Sequence, residues 1–178
     1  MLRSNPRLPR PPGATPLPDA ITIREYRDAD EPALIALLRE LQAAELPHNE
    51  NLKPPEELGV WYVDRLRENC AAMSGVILMA VGGTGQQGCA VLYTAVDEHE
   101  DAEERPHRYA LVSELVVTAS ARGTGVGKAL LAECERRAKS AGRGEVFIAV
   151  YAANATAQRL YRDAGFTEVK IRLKKALS

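Results

Sequence analysis

The sequence predicts an α/β domain built on a mixed sheet with helices on both faces. Amphipathic segments follow one another in the order β-α-α-β-β-β-α-β-α-β. Consecutive strands require antiparallel hairpins, whereas the β-α-β unit over residues 109–151 requires a right-handed crossover between parallel strands. The length of 178 residues suits one such domain rather than two.

A proline-rich arm precedes the first element. Residues 1–18 contain six prolines, which remove backbone donors and fix φ, so we expect a flexible arm followed by the domain over residues 19–178. The alternation of apolar and polar side chains in residues 21–24 predicts the first strand.

Two helices follow this strand. The first has an apolar face formed by Leu34, Leu37, Leu38 and Leu41. Pro32 suits its first turn, and Asp28 and Asp30 are candidate caps. Residues 47–55 form a loop before the second helix, whose predicted inward face consists of Leu58, Trp61, Tyr62 and Leu66.

Strands dominate the middle of the chain. Residues 76–81 and 89–96 predict a hairpin, and the turn of residues 82–88 contains the pattern G-x-G-x-x-G. A dinucleotide-binding loop leads from a strand into a helix, whereas this segment leads into a strand, so we interpret it as a hairpin turn. Six acids in residues 97–104 indicate a solvated loop, and residues 109–118 predict a long strand.

The last third of the chain alternates helices with strands. Residues 127–140 predict a helix, and residues 145–151 predict a strand. Residues 154–164 predict a short helix that is closed by Gly165 as a C-cap. Residues 169–173 predict a last strand.

The loop before the helix of residues 127–140 carries the densest chemical signal, Ala121-Arg122-Gly123-Thr124-Gly125-Val126-Gly127-Lys128. Glycines let the backbone approach a ligand, and the first-turn amides of a helix, together with its dipole, favour an anion. The loop therefore predicts a pyrophosphate cradle, with tight packing of a turn as the alternative. A Walker loop is disfavoured because Arg122 and Ala129 stand where it needs a glycine and a serine or threonine.

This loop and a later segment resemble two motifs of one enzyme family. The pattern Arg-x-x-Gly-x-Gly at Arg122, Gly125 and Gly127 follows the strand SELVV of residues 113–117, and resembles motif A of the GNAT superfamily of N-acetyltransferases. The run NATAQRLYRDAGF of residues 154–166 resembles motif B of the same family.

The resemblance is specific over residues 109–168 and topological over residues 21–108. It implies a mostly antiparallel sheet whose central parallel pair splays apart, with acetyl-CoA in the opening. The pyrophosphate would lie on the amides of residues 122–128, and the pantetheine would pair with the backbone of β-strand residues 116 and 117. The residues implied to bind acetyl-CoA are Val116, Val117, Arg122, Gly123, Thr124, Gly125, Val126, Gly127, Lys128, Asn154 and Tyr161.

Two side chains are candidates for acid-base catalysis. Glu114 lies in an apolar strand, where a carboxylate is costly unless it faces a cleft, and family members often place a glutamate there. It would take a proton from the attacking amine, directly or through water, and pairing with a neighbouring arginine is the alternative. The family gives Tyr161 the role of protonating the departing CoA sulfur, and a core aromatic is the alternative.

The net charge of −1 conceals a strong asymmetry. Residues 1–18 carry +3 and residues 122–178 carry +7, which leaves −11 for residues 19–121. We expect the basic part to face CoA and the acidic part to face a cationic acceptor, with chance segregation of solvated charges as the alternative. In the family, the loop that contains His48 lines the acceptor pocket.

The sequence thus predicts an acetyl-CoA-dependent N-acetyltransferase that acts on an amine of a small molecule or peptide. A homodimer is one possible assembly. Nucleic-acid, membrane and metal partners are not expected, because the chain is not basic overall, has no apolar run of ~20 residues and has no metal-like histidine spacing. Three widely spaced cysteines favour the reducing cytoplasm. A non-catalytic acyl-CoA-binding or sensing module on the same fold is the alternative, and a nucleotide-binding protein is a further one.

Overall fold

The structure is a computed structural model that describes residues 21–83, 85–98 and 107–175. The proline-rich arm of residues 1–18 and residues 99–104 of the predicted acidic loop lie outside this description. Within the described ranges, no helix combines the length and the apolar character needed to cross a bilayer.

The described residues form one five-stranded sheet and four α-helices. The strands are β1 (Thr22–Glu25), β2 (Val76–Gly82), β3 (Gly85–Glu98), β4 (His107–Val117) and β5 (Val146–Ile148). The helices are α1 (Glu31–Glu45), α2 (Val60–Ala72), α3 (Val126–Ser140) and α4 (Ala155–Asp163). Neighbouring strands follow sequence order, and the pairings are antiparallel except for the parallel pair β4 and β5. The predicted mixed, mostly antiparallel sheet is confirmed.

Helices cover both faces of the sheet. Successive strand residues point to opposite sides, so each face presents its own set of apolar side chains. On one face, α1 and α2 pack against alternate residues of β2 and β3, with a core that includes Leu34, Leu37, Leu38, Val63, Leu66, Met79 and Val91. On the other face, α3 packs against the intervening residues, with a core that includes Leu78, Leu92, Val112, Leu130 and Cys134. The predicted leucine face of the first helix is therefore the face that it buries.

A β-bulge in β4 decides which side chains face the helices α1 and α2. Val112 and Glu114 lie opposite successive residues of β3, so Ser113 is an extra residue between them. In a regular strand, Val112 and Glu114 would lie on the same face. The bulge leaves Val112 in the α3 core and turns Glu114 toward α2.

The prediction of a strand over residues 169–173 is wrong, because the structure has no strand there. Val169, Ile171 and Leu173 are 72%, 74% and 90% exposed, so no neighbouring element covers their side chains. Alternation is enough to predict a strand, but a strand forms only where a sheet edge pairs with it. The parallel pair β4 and β5 consequently lies at one edge of the described sheet, rather than at its centre as predicted.

Two other details also differ from the prediction. Trp61 lies outside the core, 44% exposed beneath the Lys53 ammonium, and Val63 takes the inward position on α2. The hairpin turn is shorter than residues 82–88, because β2 and β3 remain paired as far as Gly82 and Gly85. The second and third strands therefore extend well into the glycine-rich segment.

Asp30 joins the start of α1 to the sheet. Its carboxylate accepts hydrogen bonds from Nη1 and Nη2 of Arg24 in β1, at 2.6 and 2.7 Å, and from the Arg27 amide at 2.9 Å. The amide nitrogen of Gln86 in β3 also donates to it, at 3.1 Å. Asp30 stands at the N-cap position of α1, but its side chain caps no helix amide. The sequence predicted the N-cap position, but the carboxylate binds Arg24 of β1, Gln86 of β3 and the Arg27 amide instead of a helix amide.

Candidate functional site

A cleft begins where β4 and β5 separate. Their parallel register ends with Val112 opposite Ile148. Beyond this pair, residues 113–117 complete β4 along β3, whereas residues 149–151 continue outside the sheet. The parallel strands thus part at their carboxyl ends, on the side where α3 and α4 begin.

The cleft has a volume of about 610 Å³ and extends from the separated strands to the start of α3. Nine of the eleven residues predicted to bind acetyl-CoA line it: Val116, Val117, Arg122, Gly123, Gly125, Gly127, Lys128, Asn154 and Tyr161. They come from β4, from the loop and first turn of α3, and from α4 with its N-cap residue. One continuous surface therefore joins the two sequence motifs.

The other two predicted residues, Thr124 and Val126, are not among those that line the cleft. The Thr124 hydroxyl donates to the Ala121 carbonyl at 2.6 Å, and the Val126 side chain is buried in the core under α3. Their side chains therefore hold the loop in shape. The Thr124 amide also donates to the Ala121 carbonyl, at 3.3 Å, so of the two residues only Val126 has an amide suited to bind a ligand.

The start of α3 has the geometry of an anion cradle. Gly123 and Gly125 have φ angles of 77° and 96°, in the left-handed region that favours glycine. The amides of residues 126–128 belong to the first turn of α3 and have no carbonyl four residues earlier within the helix. A Cβ on Gly127 would lie only 3.1 Å from the Leu160 side chain, so glycine lets α4 approach the cradle.

Arg122 is oriented by contacts with α1 and β4. Its Nη2 donates to Oε1 of Glu40 at 2.7 Å, and its Nε donates to the Val117 carbonyl at 3.1 Å. The same Glu40 oxygen accepts the Ala119 amide at 2.9 Å. Because a guanidinium has five N–H donors, these bonds leave three for an anion in the cradle.

Helix α4 contributes Asn154 and Tyr161 to the cleft. The Asn154 side-chain oxygen accepts the Ala157 amide at 3.1 Å, as the predicted helix cap, so its NH₂ group is the part that remains for a ligand. Burial, and to a lesser extent the charge of Glu45, raises the pKa of Tyr161 to about 12. The phenol is therefore protonated at neutral pH and is able to donate a hydrogen bond or a proton.

Glu114 lies beside the cleft, bonded to α2. The Tyr62 hydroxyl donates to Oε1 of Glu114 at 2.9 Å. Burial raises the pKa of Glu114 to about 7, the Tyr62 hydrogen bond opposes this shift, and the charge of Glu45 adds to it. Glu114 does not itself line the cleft, although Leu115 next to it does. A proton from the cleft would therefore reach this carboxylate most simply through water.

A smaller cavity of about 60 Å³ lies at the point where the strands part. Glu45, at the end of α1, lines it together with Ser113, Tyr151 and Tyr161. His48 lines the larger cleft, and its ring lies 5.9 Å from that of Tyr151.

Sequence reasoning missed Glu45 and Tyr151 as residues of the site. It associated Tyr62 with the acceptor side but did not predict its hydrogen bond to Glu114. Glu45 looks like an ordinary solvated glutamate at a helix end, and Tyr62 looks like a core residue of the second helix. Their positions depend on how α1 and α2 cross the sheet. In the described chain, no group of three His, Cys, Asp or Glu side chains could hold a metal ion.

Comparison with known proteins supports the family resemblance of the two sequence motifs. The family model described as the Acetyltransferase (GNAT) family matches residues 35–166. A Bacillus subtilis protein called Uncharacterized N-acetyltransferase YycN is 32% identical over 74 residues. This match covers 42% of the present chain and only 47% of that relative, so it spans less than half the length of either protein.

Solved structures share the fold at low sequence identity. A mutant of the BH1408 protein from Bacillus halodurans gives a TM-score of 0.73 at 18% identity, over 88% of this chain and 99% of that one. AAC(6')-Iy in complex with the bisubstrate analogue CoA-S-monomethyl-acetylneamine gives 0.69 at 18% identity, over 90% and 99%. A predicted acetyltransferase with acetyl-CoA from Clostridium acetobutylicum gives 0.64 at 16% identity, over 88% and 96%.

Proposed function

Because the chain belongs to the GNAT family of acetyltransferases, we propose that it transfers the acetyl group of acetyl-CoA to an amine of a small molecule or peptide. One observation carries this proposal. A single cleft has an anion cradle at one end, the Tyr161 phenol near the other, and Glu114 with its raised pKa beside it. A cofactor with phosphates at one end and a reactive thioester at the other matches that arrangement.

The residues of the cleft fit the parts of acetyl-CoA. The amides of residues 126–128, with Arg122 and Lys128, would bind the pyrophosphate. The free edge of β4 at Val116 and Val117 would hydrogen-bond the pantetheine arm as an added strand does. The Asn154 NH₂ group would donate to the same arm from the opposite wall.

Two side chains would move the protons of the reaction. Acetyl-CoA supplies the acetyl group as a thioester, which an unprotonated amine attacks. Glu114 accepts, through water, the proton that the amine nitrogen loses as its bond to the carbonyl carbon forms. Tyr161 donates its proton to the sulfur as the carbon–sulfur bond breaks. Because a thiolate with a pKa of ~8.5 leaves readily, Tyr161 contributes less than Glu114 does.

The acceptor is proposed to be cationic. Residues 19–121 carry a net charge of −11. They include α1, α2 and Glu45, which lines the smaller cavity. A wall of one sign concentrates ligands of the opposite sign. A structural neighbour, AAC(6')-Iy, was solved with a bisubstrate analogue that joins CoA to a neamine derivative, which supports an amine acceptor for this cleft as well.

Ligand-induced stabilisation tests the identity of the cofactor. We expect acetyl-CoA to raise the melting temperature in a concentration-dependent way, because a ligand that binds only the folded state stabilises it. Dephospho-CoA should raise the melting temperature less, and ATP and NAD should have little effect. Equal stabilisation by ATP or NAD would instead favour a nucleotide-binding protein.

Arg122→Ala tests the anion cradle. We expect acetyl-CoA binding to weaken by about 1–3 kcal/mol, toward the lower end because the guanidinium is half exposed to solvent. Arg136→Ala is the matched control, since Arg136 also forms an ion pair with a glutamate, at 2.7 Å, but lies away from the cleft on α3. Titration calorimetry gives both dissociation constants. An Arg122→Ala constant equal to that of the control would remove Arg122 from the cradle.

A further inference from the structure

Glu45 occupies a position that the proposed reaction does not use. It is the last residue of α1 and, together with Tyr161, lines the small cavity where β4 and β5 separate. Leu41, one turn earlier on the same face of α1, lines both this cavity and the larger cleft. The Glu45 carboxylate is therefore half-buried in the wall of the reaction site rather than on the outer surface of the helix.

No lysine or arginine pairs with Glu45 in the described part of the chain. Among the described side chains, Glu45 has no ion pair or hydrogen bond, whereas Glu40 on the same helix pairs with Arg122. Burial raises the pKa of Glu45, and the nearby His48 opposes that shift. A half-buried carboxylate without a cation is costly, and a bound cation would remove that cost.

The surroundings of Glu45 suit an alkylammonium group. Tyr151 and Tyr161 line the same cavity, and the His48 ring lies against Tyr151. Aromatic rings beside a carboxylate bind organic cations through both ring and charge. The segment is held in place, because Nδ2 of Asn49 donates to the Tyr151 hydroxyl at 3.1 Å. The cavity of about 60 Å³ has room for several water-sized groups.

We propose that Glu45 determines acceptor specificity by binding a second cationic group of the acceptor, so that diamines and polyamines are the preferred substrates. This inference rests on the proposed acetyltransferase function. The amine that attacks the thioester must lose its charge, and so it cannot remain as a partner for Glu45. A second ammonium group stays charged throughout the reaction and neutralises the carboxylate while Glu114 receives the proton.

A matched pair of acceptors tests the proposal. 1,4-Diaminobutane and butylamine have the same carbon chain and differ in the second ammonium group. We expect the wild-type protein to prefer the diamine in kcat/KM, and Glu45→Gln to lower the diamine-to-monoamine ratio by about 10–100-fold, the loss expected for a charge-assisted contact. Glu68→Gln is the control, because Glu68 is exposed on α2 and lines neither the cavity nor the cleft. The control should keep the wild-type ratio.

The pH profile adds a readout that a purely structural role would not move. Glu114 is faced by Tyr62 of α2, by Cys89 and Tyr93 of β3 and by Glu45 of α1. Since the charge of Glu45 raises the pKa of Glu114, Glu45→Gln should shift the acid limb of kcat/KM to lower pH. Glu45→Asp keeps the charge. It should therefore keep the position of the acid limb of kcat/KM and most of the preference for the diamine.

Binding measured without acetyl-CoA separates this inference from the proposed function. Titration calorimetry should show tighter binding of the diamine than of butylamine, and Glu45→Gln should abolish the difference. If no amine supports turnover, the proposed function fails, and the calorimetric comparison still decides the role of Glu45. If wild type and Glu45→Gln treat the two amines alike, or if Glu45→Gln weakens both equally, the inference is wrong.

Discussion

Glu114→Gln is expected to lower kcat/KM for an amine acceptor by about 10²–10⁴-fold at neutral pH, the loss that follows when a general base is removed. Glutamine keeps the shape of the side chain and its place beside Tyr62, but it accepts no proton. The loss should shrink at high pH, where more of the acceptor is already unprotonated. Steady-state rates from pH 6 to pH 10 measure both effects.

The pH dependence of wild-type activity follows from the same group. With a pKa of about 7, Glu114 is a carboxylate above that pH and a carboxylic acid below it, so kcat/KM should fall as the pH drops through 7. Tyr62→Phe removes a hydrogen bond that lowers this pKa, and should move the fall to higher pH. Glu68→Gln, at an exposed position on α2, is the control and should leave the pH at which kcat/KM falls unchanged. Wild-type rates in Glu114→Gln across the range would exclude Glu114 as the base.

Asp30→Ala is expected to lower the free energy of unfolding by about 3 kcal/mol, within the range for breaking a buried ion pair. The substitution leaves the Arg24 guanidinium, which is only a quarter exposed, without its bidentate partner. It also removes the acceptor of the Arg27 amide and of Gln86. Urea unfolding of the two proteins at neutral pH measures the difference.

Asp97→Ala is the matched control for Asp30. Asp97 accepts two hydrogen bonds from Arg108, at 2.6 and 2.9 Å, but both side chains are about half exposed, so the loss should be much smaller. Arg24 holds the pKa of Asp30 well below its usual range, so its stabilisation is present above the unfolded pKa of ~3.9 and is lost as the pH falls below it. Equal losses in the two variants, or an acid dependence unchanged in Asp30→Ala, would contradict this account.

The parts of the fold that sequence predicted well depend on local rules. The leucine face of α1 follows from helical periodicity, and the start of α3 follows from a glycine loop whose residues need positive φ. Asn154 caps α4 as its residue type predicts. These features are determined by residues within one or two helical turns of each other.

The parts that sequence could not predict depend on contacts between distant segments. The bulge at Ser113 turns Glu114 toward α2, and no residue in β4 signals it. The Glu114 partner, Tyr62, lies 52 residues earlier in the chain. The segment of residues 169–173 alternates as a strand does, but it pairs with no strand and its apolar side chains are exposed. In each of these cases, the outcome depends on contacts between segments that are distant in the sequence.

The release of free CoA from acetyl-CoA, followed with and without an amine, tests the central claim most directly. We predict release that depends on a cationic amine, with an equal amount of N-acetylated acceptor identified by mass spectrometry. Stabilisation by acetyl-CoA without amine-dependent release, across polyamine, aminoglycoside and peptide acceptors, would contradict the proposed transfer reaction and would favour a module that binds acyl-CoA without catalysis.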